Sequence, residues 1–309
     1  MADWSQILEE LQKAGNAHDV VRRKYLNRLY QITGRNIITY YSGWLQKPHK
    51  ELVPYTAIDD NDKNGFMNAI HQLDTSKGLD LILHTPGGEL SAVESIIDYL
   101  KDKFSDIRVV VPQIAMSGGT IIACASNRIL MGRQSSLGPI DPQFSGIPAH
   151  GILEEFNKAY EDIKKDQSYL YVWQPIINKY SPTTVGESQK AVDWANNLVE
   201  EYLKDRMLKN LNTAKKTSVV KDILKELGDH STNLSHSRHI SAKKCKKMGL
   251  KIEMMEKDNK LQDAILSVHH CYTHTLSATA AIKVIENHRG SAYVQQIRQA
   301  IVAKELQAV

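Results

Sequence analysis

The stretch LILHTPGGELSAVESIIDYL, Leu81 to Leu100, passes from an apolar run into an amphipathic segment across Pro86-Gly87-Gly88. Upstream, DLILHT (80–85) is a short run apolar on both faces, the pattern of a strand buried in a parallel sheet. Downstream, Ala92, Val93, Ile96, Ile97 and Leu100 recur on one face at helical spacing. The glycines between them lack a Cβ, so they accept positive φ and let another group approach the main chain. Amides freed at the start of the following helix favour negative charge, whether phosphate, carboxylate or oxyanion. Such a turn on its own signals little beyond turn chemistry.

The unit then recurs. IRVVVPQIA (107–115) reads as a second strand, Ser117-Gly118-Gly119 as its turn and TIIACAS as an apolar helix, with RILMG (128–132) as a third strand. Strands apolar on both faces and separated by helices imply parallel pairing through right-handed crossovers. Open α/β sheets collect their chemistry at the carboxyl ends of the strands, where both glycine pairs fall. Ser117 stands at the tip of the second turn with its hydroxyl accessible. A nucleophilic serine needs that exposure and a backbone donor for the tetrahedral oxygen. The local string AMSGGT is not the G-x-S-x-G elbow.

Around this centre, residues 3–33 read as two helices, NIITYY (36–41) as a strand and residues 64–73 as a short helix. From about residue 151 the pattern is mainly helical, with stripes at Ile152, Phe156, Ala159 and Ile163 and at Ala191, Trp194, Leu198 and Tyr202. Breaks fall at Ser181-Pro182 and around 231–237. Residues 261–288 read as one long helix carrying His269, His270, His274 and His288. The expected organisation is a helical arm at 1–35, an α/β domain at 36–255 with a helical insertion at about 165–235, and a helical segment at 256–309.

The 309 residues carry a formal net charge of +4, too mild to argue for nucleic acid. The lysine-rich stretches between Lys204 and Lys247 read first as a solvated helical face and second as a dock for an acidic partner. Cys124, Cys245 and Cys271 have no metal-like spacing and an odd count, which fits a reducing compartment. Acidic and polar residues are spread through the first fifteen positions, unlike a secretory apolar core, and no run reaches the roughly 18 apolar residues of a membrane span. A cytoplasmic location is expected. His236 with His239, and His270 with His274, have spacings that metals use, but neither pair has a third ligand in view. Neither a metal nor a cofactor is expected.

LILHTPGGELSAVESI followed by VVPQIAMSGGTIIACAS resembles the paired signature of the Clp protease and signal peptide peptidase A group, serine peptidases with a crotonase-like fold. The 29 positions from Gly88 to Ser117 match the Clp separation. Through SSLGPIDPQ and the HHCYTHT…KVIENHRG tail, the chain is most similar to the serine dehydrogenase proteinase family. The resemblance implies a core of repeated ββα units in a spiral. It also implies Ser117 as nucleophile, the amides of Gly88 and Gly118 as oxyanion donors with Gly87 beside the substrate, a polypeptide substrate and a homo-oligomer. The terminal helices are candidate contacts.

The general base is less legible. Clp proteases place a histidine about 25 residues after the serine; here that neighbourhood is Ile140-Asp141-Pro142. Asp141 between prolines reads at least as well as a rigid turn, and His150 is another candidate. The signal peptide peptidase branch uses a lysine about 40 to 50 residues on, where this chain has Lys158, Lys164 and Lys165. Such a lysine must lose its proton near neutrality, a drop of roughly two to three units from about 10.4. Burial beside the Ile152 stripe is how that would happen, which ranks Lys158 first, Lys165 second and Lys164 third.

Three readings follow. One is an ATP-independent Ser-Lys peptidase; the sequence has no G-x-x-x-x-G-K loop. Another is an acyl-CoA enzyme of the crotonase type, with Glu89 or Glu94 as the working acid. The third is a scaffold that keeps the fold without turnover.

Overall fold

The computed structural model describes residues 4–15, 17–144, 147–228 and 237–297. Its centre is a seven-stranded sheet: β1 (Asn36–Ser42), β2 (Leu79–His84), β3 (Ile107–Val111), β4 (Arg128–Met131), β5 (Ile252–Met254), β6 (Ala281–Asn287) and β7 (Ala292–Gln296). The order across the sheet is β5-β4-β3-β2-β1-β6-β7. β1 to β5 are parallel, whereas β6 is antiparallel to both β1 and β7. β1, β2 and β6 are buried at every position, as their near-continuous apolar runs require.

Sequential parallel strands that step in one direction with right-handed connections put every crossover on the same face. That face carries α3 (Asn61–Ile70), α4 (Leu90–Lys103), α5 (Gly118–Cys124), α8 (Thr184–Tyr202) and α9 (Thr213–Gly228), whose apolar residues share one core with the sheet. α6 (Ala149–Lys165) and α7 (Leu170–Ile177) lie further out, with α6 against α8. The opposite face is covered by α1 (Trp4–Lys13), α2 (His18–Thr33) and α10 (Asn259–Ala278), which build the second core. The two N-terminal helices are held to this face: Ile7, Leu11, Val21, Leu26 and Leu29 pack against α10 and the sheet.

Two ionic groups fix the sheet. Arg35 bridges Asp80 and Asp106, each at 2.6 Å; Arg108 takes the other oxygen of Asp80 at 2.6 Å, and Arg128 binds Asp106 at 2.7 Å. These contacts tie the starts of β1 to β4 into register. Across β6, buried Glu286 receives Arg22 at 2.9 Å and the Tyr272 hydroxyl at 2.8 Å.

The long helix expected over 261–288 stops at Ala278, and Ala281–Asn287 is a central strand. The segment 256–309 is thus not helical throughout. The reason is Lys283 and Glu286, whose charges suggest a solvated helix surface. Both are fully buried here because each meets opposite charge inside the fold. The His270 and His274 rings pack on Trp4, at 5.7 Å and 3.8 Å, ring centre to ring centre. His236 and residues 298–309 lie outside the described residues. All three cysteines are buried and free.

Candidate active site

Both glycine turns sit at the carboxyl ends of their strands and meet there. After β2, the chain pairs laterally with Ile58: the Ile58 amide donates to the Gly87 carbonyl at 2.8 Å, and the Glu89 amide donates to the Ile58 carbonyl at 2.9 Å. In a parallel bridge of this form the residue between, Gly88, directs its own N–H and C=O to the other side. A Cβ on Gly88 would lie 2.2 Å from the Ile58 main chain, so this close approach requires glycine.

After β3, the two-residue strand Ile114–Ala115 leads into Ser117, which has φ 49° and ψ −115°. Among the described residues only Gln72 shares a positive φ without being glycine. A side chain held there costs about 1–3 kcal/mol, which the surroundings must offset. They do so through α5. Gly119 N–H donates to Met116 at 2.7 Å, and the amides of Thr120 and Ile121 donate to the Ser117 carbonyl. The buried Thr120 hydroxyl donates to Gly138 O at 2.9 Å. Ser117 is left half-buried, at the mouth of the turn.

The two turns interlock. Gly87, at φ 97°, has no Cβ; one placed there would lie 2.6 Å from the Ser117 Cβ and 2.9 Å from the Gly118 nitrogen. A Cβ on Gly118 would sit 3.4 Å from the Gly88 nitrogen. The amides of Gly87, Glu89 and Gly119 are all engaged. Those of Gly88 and Gly118, beside Ser117, make no hydrogen bond among the described residues. Two free donors next to an accessible hydroxyl are the parts of an acyl-transfer site.

These groups line a cavity of about 400 Å³ whose walls are mainly apolar, with Trp44, Val53, Leu90, Ile140 and Trp194 among them. Glu89 is the ionisable side chain in its lining; Glu94 is on α4 and outside it. Asp141 is buried between the lining residues Ile140 and Pro142 without lining the cavity itself. His150 is half-buried in the first turn of α6, also away from the lining.

Lys158, Lys164 and Lys165 are not among the residues that line the Ser117 cavity. The stripe on α6 does turn inward, with Ile152 and Ala159 buried, but Lys158, Lys164 and Lys165 are exposed. Sequence reasoning also missed the partner of Gly88: Ile58 lies in PYTAIDDNDKNGF, a stretch too polar to announce a buried pairing.

Behind the turn, His84 is fully buried with Trp44 at 4.4 Å and His269 at 5.3 Å, ring centre to ring centre. Burial holds His84 well below the usual imidazole range, with the neighbouring His269 adding to the effect. Burial likewise takes His269 down to about 3. Burial disfavours the charged form of both rings, and neither lines the cavity.

A family model described as ClpP-like SDH-type serine proteinase matches residues 13–286. The chain belongs to that family. The matched range takes in both the Gly87-Gly88 and the Ser117-Gly118 turns. Two uncharacterized proteins of Methanocaldococcus jannaschii are 31% and 30% identical, each over 64% of this chain, and over 62% and 60% of their own lengths. The chain thus spans about three fifths of those relatives. The ATP-dependent Clp protease proteolytic subunit of Streptococcus thermophilus is 26% identical over 40% of this chain and 53% of its own. Among solved structures, a membrane-bound stomatin-specific protease aligns with a TM-score of 0.40 at 16% identity, covering 67% of this chain and 79% of that one. No helix among the described residues is long and apolar enough to cross a membrane.

Proposed function

We propose that this ClpP-like proteinase hydrolyses peptide bonds with Ser117 as nucleophile and the amides of Gly88 and Gly118 as oxyanion donors. The observation that carries the reading is the strained Ser117 backbone beside two unengaged amides at the rim of an apolar cavity. The substrate carbonyl lies in the cavity mouth with its oxygen towards the two amides. Ser117 Oγ attacks the carbonyl carbon as its proton passes to a base. The C–N bond breaks, the departing amine takes that proton, and water then hydrolyses the acyl-serine. Each oxyanion donor contributes about 10²–10³ in rate.

The base in this reading is Lys158, with Lys165 second. Because both are exposed on α6, the dyad forms when association of copies carries α6 to a neighbouring cavity. The same outer arm exposes Tyr160, Tyr169, Leu170, Tyr171 and Val172, a surface that favours self-association. The assembly is ATP-independent and cytoplasmic in this proposal.

The test is cleavage of casein by wild type and Ser117→Ala from pH 6 to 9.5. Ser117-dependent cleavage that rises with pH and is lost in Lys158→Ala supports the dyad. Equal cleavage by wild type and Ser117→Ala would overturn Ser117 as nucleophile. The second reading, acyl-CoA chemistry, draws on Glu89 in the cavity lining. It predicts turnover of an acyl-CoA that survives Ser117→Ala and is lost in Glu89→Gln.

A further inference from the structure

Lys283 lies in the middle of β6 and is fully buried. Its Nζ donates to the Ala57 carbonyl at 2.9 Å and to Asp59 Oδ2 at 3.0 Å, and pairs with Asp62 Oδ1 at 2.8 Å. The ammonium thus makes two hydrogen bonds and an ion pair with a second carboxylate. The other oxygen of Asp62 accepts the Tyr40 hydroxyl at 2.8 Å and the Asp59 amide at 3.1 Å. A buried cation with two carboxylates is a costly arrangement that persists only when well satisfied. Its energetic weight falls on one short segment, Ala57 to Asp59, held on both sides of Ile58.

Ile58 is the residue that pairs with the first glycine turn. Its amide and carbonyl engage Gly87 and Glu89, which leaves the Gly88 N–H directed to the opposite side. A buried charge centre on β6 therefore fixes Ile58, and Ile58 fixes the direction of Gly88.

We propose that Lys283, with Asp59 and Asp62, is a positioning centre for the Gly88 oxyanion donor. The inference rests on the reading of Ser117 and Gly88 given above. Lys283 touches neither substrate nor Ser117; it acts through Ile58. Misaiming one donor weakens an interaction made in the transition state and spares ground-state binding.

The test uses the full chain and a chromogenic peptide ester. Asp59→Asn keeps the side chain's shape and removes one charged anchor of Lys283. It is expected to lower kcat about 10- to 100-fold, below the 10²–10³ for outright loss of a donor, with KM within about twofold. A peptide boronate, which mimics the tetrahedral state, should lose affinity in parallel, whereas the cleaved peptide product should bind as before. Lys283→Met gives a larger loss of kcat if it folds; if it does not, Asp59→Asn alone decides. Unchanged kcat in folded Asp59→Asn, or a fall in kcat/KM carried by KM, would overturn this inference alone. Absence of Ser117-dependent turnover in the wild type would overturn the site reading and this inference with it.

Discussion

The position a Cβ on Gly87 would occupy lies 2.6 Å from the Cβ of Ser117. Two turns that follow different strands thus share one volume, and only a hydrogen at Gly87 lets Ser117 stand where it does. Gly87→Ala collides there and also demands a side chain at φ 97°. We expect a loss of about 1–3 kcal/mol from backbone strain alone, read by urea denaturation, together with loss of Ser117 labelling by a fluorophosphonate. Normal labelling at wild-type stability would contradict the interlock.

Ser117 itself is strained, so its replacements should differ. Ser117→Ala and Ser117→Gly both abolish cleavage, but only glycine relaxes φ 49°. Ser117→Gly should be the more stable of the two by about 1 kcal/mol, measured as a difference in urea midpoint at equal m-value. The reverse order would mean that the turn stores no strain.

Gly88→Ala places a methyl 2.2 Å from the Ile58 main chain. The bridge must open, and the amide it aims must turn. Peptidase turnover should fall by at least about 10²-fold, as for loss of an oxyanion donor. Retention of more than a tenth of the wild-type kcat would count against Gly88 as a donor.

Acid should unfold the protein early. His84 and His269 are buried and neutral, with folded-state values depressed by burial, His269 to about 3. The unfolded chain therefore binds more protons than the folded one between about pH 6.5 and 3, and stability falls as pH falls through that window. Each such histidine contributes a slope approaching about 1.4 kcal/mol per pH unit. A urea series at pH 7, 6 and 5 checks this, and His269→Gln should flatten the dependence. A midpoint independent of pH over that range would refute it.

The Arg22–Glu286 pair is buried on both sides, at 2.9 Å. Arg22→Met should cost about 3 kcal/mol, the low end for breaking a buried pair, because Glu286 keeps Arg23 at 3.3 Å and the Tyr272 hydroxyl. Arg22→Met with Glu286→Gln should recover much of that loss. A double-mutant cycle measures the coupling, and additive losses would show that the two groups act independently.

The sequence by itself determined three adjacent strands of the parallel half, β2 to β4, and the two turns that follow β2 and β3. β1 to β4 are short apolar runs whose periodicity and glycine punctuation are local properties, set by steric freedom at Gly87, Gly88 and Gly118 and by which side chains can be buried. The 29-residue separation of Gly88 from Ser117 was legible for the same reason: it is one strand–helix crossover. What only the tertiary structure decided depends on pairing between distant residues. Lys283 reads as a solvated charge until Asp59 and Asp62 close around it, its bond to Ala57 spanning 226 positions. Ile58 reads as part of a loop until Gly88 pairs with it. Lys158 follows the opposite course. Its place beside an apolar stripe suggests burial, yet the stripe is satisfied by neighbouring helices and the amine stays in water. Local patterns record which groups can be buried; which charges are in fact buried depends on the partners the fold brings to them.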